Sequence, residues 1–150
     1  MSLAGPTIWT IGYEQATQAA VIGALVAAGV EVLADVRALP LSRRPGFSKT
    51  SLAAAAQEAG IEYRHFKPLG TPAEGRAAAR RHDHAALELI YAGQLELPEA
   101  FAAGAALADL AHEKRVALLC YERNAAECHR TLLRRAMLPD FAAIDLLPLN

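Results

Sequence analysis

The residues able to do chemistry gather in two stretches. In residues 116–130, VALLCYERNAAECHR, an apolar run gives way to thiol, carboxylate, imidazole and guanidinium at Cys120, Glu122, Cys128, His129 and Arg130. In residues 35–49, DVRALPLSRRPGFSK, Asp35 is followed by Arg37, Arg43, Arg44 and Lys49 with no further acidic residue. Guanidinium forks and the open N–H groups of a helix start give directed hydrogen bonds to anionic oxygens. Arg37, Arg43 and Lys49, with a helix start at Ser48, therefore form a candidate phosphate, sulfate or carboxylate site. Glu122 and Asp35 are the candidate acid–base groups if burial tunes them, with His129 and Arg130 positioning the reacting group. Cys128 would stand in the first turns of a helix beside His129, Arg123 and Arg130, a setting that lowers a thiol pKa and makes a nucleophile. The competing reading is a small hydrophobe packed in the core.

Cys120, at the end of an apolar run, occupies the place where rhodanese-like sulfurtransferases and cysteine phosphatases hold their nucleophile, and residues 35–37 resemble a rhodanese strand. Those enzymes need a glycine-containing loop after the cysteine to cradle the anion. Residues 121–127, YERNAAE, hold no glycine and two carboxylates. A strand residue is therefore the better reading of Cys120. Cys120, Cys128, His129, His65, Asp35 and Glu122 carry donor atoms for a metal, but no pair has a zinc spacing, and no metal site is expected. Nucleic-acid binding calls for stacking aromatics, which here come down to Tyr13, Phe47, Phe66 and Tyr121. An anionic small molecule or a nucleic-acid end is thus the partner these residues admit. Neither a cofactor nor an oligomeric state can be read from the chain.

These residues must be positioned by the elements around them. Residues 7–11 are β-branched and apolar and end at Gly12, which reads as a first strand and a turn eased by glycine. Thr17 can cap a helix whose apolar face is Val21, Ile22, Leu25 and Val26, stopped at Gly29. Residues 30–36 read as a second strand with Arg37 at its exit. Ser48 reads as the next N-cap, with Phe47 and Leu52 as a hydrophobic staple that would hold the basic loop against a helix ending near Gly60. Residues 61–66 alternate as a third strand. Thr71, Pro72 and Glu74 read as a capping box with proline at the first helical position. Residues 77–93 read as one long or broken helix with a solvated polar face, and Pro98 opens another. Residues 116–120 form a fully covered strand, and Asn124 with Glu127 a capping box that opens a helix to about Met137. Residues 142–147 are the last strand, interrupted by Asp145.

Such β-α alternation predicts an α/β single-domain three-layer sandwich: a mostly parallel, Rossmann-like sheet of about five strands with helices on both faces. In a parallel sheet all strand exits share one edge, so residues 12–14, 35–49, 65–67 and 120–130 should meet there, the usual ligand edge of such sheets. Tyr13 and His65 join the candidate ligand-binding set on that ground. The 150 residues, 53% apolar and 21% charged, suit one domain with a full core, preceded by a flexible tail at residues 1–6. A net charge of -1 gives no global attraction to nucleic acid or membrane. With no signal-like or membrane-spanning run and two cysteines, a reduced cytoplasmic protein is the expectation.

The chain resembles the family known as domain of unknown function 488. The resemblance rests on Thr10-Ile11-Gly12-Tyr13, Asp35-Val36-Arg37 with Pro40, Ser42-Arg43 and Phe47-Ser48-Lys49, Tyr63 through Leu69-Gly70, and Cys120, Glu122 and Cys128-His129-Arg130. It implies an α/β domain of a small cytoplasmic protein with no assigned reaction. Three readings follow: an enzyme acting on a phosphate-bearing ligand such as a nucleotide or nucleic-acid end, a non-catalytic binder of the same anion, and a sulfurtransferase, the last disfavoured by the loop after Cys120.

Overall fold

A computed structural model describes residues 5–40, 42, 44–122 and 129–149. Five strands, β1 (Thr7–Gly12), β2 (Val32–Asp35), β3 (Glu62–His65), β4 (Val116–Cys120) and β5 (Ala142–Leu146), form one all-parallel sheet in the order β3-β2-β4-β1-β5. The helices among the described residues are α1 (Gln18–Ala27), α2 (Lys49–Glu58), α3 (Ala73–Arg80), α4 (His84–Leu95), α5 (Pro98–Glu113) and α6 (His129–Met137), with a single 3-10 turn at Lys67–Leu69. The three-layer α/β plan is as expected. Its strand order differs from the Rossmann order, where β1 stands beside β2; here β4 is inserted between them.

Strand alternation divides the core in two. Val32, Ala34, Val116 and Leu118 face Tyr91, Leu107 and Leu133 of α4, α5 and α6. Leu33, Ala117 and Leu119 face Val21 and Leu25 of α1 and Leu52 and Ala56 of α2. Burial on both faces is why β4 reads as an unbroken apolar run. Edge strand β5 is exposed from Ala142 to Asp145. Asp145 does not interrupt it, because its carboxylate accepts a hydrogen bond from Thr10 Oγ1 directly across the β1–β5 register.

Several local expectations shift. Thr17 does cap α1, accepting from the Ala20 amide at 3.0 Å, while Ser48 precedes α2 without a side-chain cap bond. Phe47 and Leu52 are buried in one core as the staple requires. The box at Thr71 does not form: Pro72, with an extended ψ of 164°, is the N-cap itself and no side chain caps α3. Residues 73–95 break into α3 and α4 because His82 turns to φ +58° and Asp83 accepts from the Ala86 amide at 3.1 Å. Gly12 lies within β1, and the need for glycine is close approach rather than a turn: a Cβ there would sit 1.7 Å from the Glu122 carbonyl oxygen. The Asn124–Glu127 box lies outside the described residues.

Candidate functional site

Neighbouring strands that send the chain to opposite faces leave a crevice at their C-terminal edge. β4 leads toward α6 on one face, while its neighbours β1 and β2 lead to α1 and α2 on the other. A cavity of about 330 Å³ occupies that place. The strand exits contribute Tyr13, Arg37, Cys120, Tyr121 and Glu122 to its lining. α3 and its approach contribute Thr71, Arg76, Ala79 and Arg80, with Leu87 of α4, His129 of α6 and Ala38-Leu39 completing it.

Beneath the α1–α2 side of this edge lies a closed polar cluster. Asp35 is fully buried and Arg37 nearly so. Arg37 donates through Nε to Asp35 Oδ1 at 2.8 Å and through Nη2 to Oδ2 at 2.7 Å, a bidentate pair. Its Nη1 donates to the Phe47 carbonyl at 2.7 Å and to Tyr13 Oη at 3.3 Å, and the Tyr63 hydroxyl also donates to Asp35 Oδ2. Burial opposes the Arg37 charge, but the bonds and charge of Asp35, then of Tyr13, outweigh it and raise its pKa. Burial first, and Asp35 second, raise Tyr63 as well. His65 Nε2 donates to the Arg37 carbonyl at 2.8 Å. This cluster fixes the exits of β2 and β3 and holds the Phe47 backbone, while the Lys49 amide donates to the Pro40 carbonyl at 2.9 Å.

On the opposite face, His129 Nε2 donates to the Val36 carbonyl at 2.7 Å. Desolvation, reinforced by the charge of Arg130 and only partly offset by the Val36 bond and the charge of Asp35, lowers its pKa to about 4. Arg130 is fully buried, and its Nη1 donates to the Glu122 carbonyl at 3.0 Å and to Cys120 Sγ at 3.4 Å. Burial lowers its pKa to about 10, so it stays cationic at neutral pH and holds the segment leaving β4. Cys120 is 1% exposed and disulfide-bonded, in contrast to the reduced thiol expected.

The strand exits do meet, but the expected residues divide. Tyr13, Arg37, Glu122 and His129 line the cavity; Asp35, His65 and Arg130 support it from behind. Ser48 and Lys49 lie off the cavity, and Arg44 turns away to the Ala16 carbonyl and the Phe47 ring. Arg43 and Cys128 lie outside the described residues. Thr71, which reads from sequence only as part of a cap, and Arg76 and Arg80, which have no site role there, join the lining. Arg76 donates to the Thr71 carbonyl at 2.8 Å, and among the described residues neither Arg76 nor Arg80 has a carboxylate partner. Two like charges at i, i+4 repel on a bare helix, and that unfavourable pairing was the signal in the sequence. Among the described residues no cluster of three metal-donor side chains occurs.

Fold and site together define an α/β protein with an all-parallel sheet wound on both faces and an arginine-bearing cavity at its C-terminal edge. The chain belongs to the family described as Domain of unknown function DUF488, whose profile matches residues 17–137. That span covers the cavity lining apart from Tyr13. No curated protein and no solved structure matches the chain.

Proposed function

We propose that this is an enzyme acting on a small phosphate-bearing ligand held in the cavity, with Arg76 and Arg80 on the anion and Glu122 as the acid–base group. The observation that carries the reading is the pair of arginines one helical turn apart, facing a cavity with no carboxylate partner for either among the described residues. A bound anion relieves their repulsion and accepts their forked donors. Arg37 lends less to that role than its type suggested, since Asp35 already holds its charge. Glu122 takes the proton of the attacking group, and neutral His129 serves as a hydrogen-bonding group rather than a cation. The three-layer α/β plan with its all-parallel sheet supports the reading by analogy alone.

The test is thermal denaturation with pyrophosphate, which should raise the melting temperature by about 3–6 °C at ten times its Kd. The shift should vanish in the Arg76→Ala/Arg80→Ala variant. No shift in the native protein, or one that survives in the variant, removes the anion site. Phosphate release from a panel of monoesters and nucleotides should be lost in Glu122→Gln while the shift remains; a shift with no turnover on any of them makes the protein a binding module instead.

A further inference from the structure

We infer that the ligand is a mononucleotide whose base stacks on Tyr121 while Arg76 and Arg80 hold its phosphate, a reading that rests on the anion site proposed above. Tyr121 lines the cavity and is 45% exposed. It is held rather than loose. Its ring meets that of Tyr13 edge to face at 5.3 Å and 80°, and buried Tyr13 is stacked on Phe47 at 4.5 Å and 14°. Arg37 and Arg44 lie over the Tyr13 and Phe47 rings at 5.3 and 5.8 Å. One side of Tyr121 is therefore braced by a fixed aromatic chain while the residue as a whole stays partly open to solvent, which is the form of a stacking platform.

The lining is also lopsided in chemistry. Helix α3 brings cations, the β1 and β4 exits bring aromatic rings, and Glu122, next to Tyr121 in the chain, brings an acceptor. A ligand complementary to all three has an anionic end, a flat π-face and hydroxyl or amine donors between them. A cavity of about 330 Å³ lies at the small end of the range for small-molecule sites, roughly 300–1,000 Å³. That suits one nucleotide rather than a strand of nucleic acid. Stacking on a π-face tolerates any base, so both purine and pyrimidine nucleotides should bind.

Calorimetric titration of the whole protein with AMP, UMP and ribose 5-phosphate tests this. Both nucleotides should bind about 5–100-fold more tightly than ribose 5-phosphate. Tyr121→Ala should erase that difference and leave ribose 5-phosphate unchanged, and Tyr121→Phe should restore it. Equal affinities for all three in the native protein overturn the stacking assignment while leaving the anion site intact. So does an equal loss for all three in Tyr121→Ala. Absence of binding by any of them overturns both readings.

Discussion

Burial holds the His129 imidazole neutral, and that has a pH signature. Its pKa is about 4 in the fold against roughly 6.5 in an unfolded chain. Between those values the unfolded state binds more protons than the native one, so stability rises with pH through that window and is fully present above about 6.5. Acidification from pH 7 to 4 should therefore cost about 3 kcal/mol from this group alone. Urea midpoints measured across pH 4–7 should show the slope, and His129→Gln should flatten it; an equal slope in the variant would mean that another group carries the titration. Residue-scale chemistry was partly legible in the sequence. Asp35 ends β2 and Arg37 lies two residues on at its exit, and their bidentate pair is a consequence of that short spacing. The partners that close the cluster, Tyr63 and the Phe47 carbonyl, come from 28 and 10 positions away, and no local window shows them.

At the scale of elements, capping separates two starts that look alike in sequence. Thr17→Ala removes the bond to the Ala20 amide and should cost about 1 kcal/mol. Ser48 makes no such bond, so Ser48→Ala should stay within about 0.5 kcal/mol. Paired denaturant melts check this, and equal losses would show that the cap at Thr17 contributes nothing of its own. α2 is fastened instead by apolar packing of Phe47 and Leu52, readable from residue types and spacing, and by the bond from the Lys49 amide to the Pro40 carbonyl. α3 shows where such reading ends. Ala73–Arg80 is half alanine, which favours a helix without saying which face is buried. Its docking beside the strand exits turns Arg76 and Arg80 from apparent solvent charges into cavity lining.

For the whole molecule, strand position predicts how protection is distributed. β4 is central, buried on both faces and bonded to β1 and β2, whereas β5 is an exposed edge. Native-state hydrogen exchange should be slowest in residues 116–120 and markedly faster in residues 142–146. Protection of β5 equal to that of β4 would mean that the edge is covered in solution. No helix among the described residues is long and apolar enough to cross a membrane. The sequence by itself determined the types and order of most elements and the meeting of strand exits at one edge, because hydrophobic period and turn residues act within a few positions. Only the tertiary structure decided that β4 enters between β2 and β1, that α3 brings two arginines to the crevice, and that Asp35 takes up the charge of Arg37. Those outcomes come from burying two faces of one sheet at once, a condition that sums contacts across the whole chain and is written in no single stretch of it.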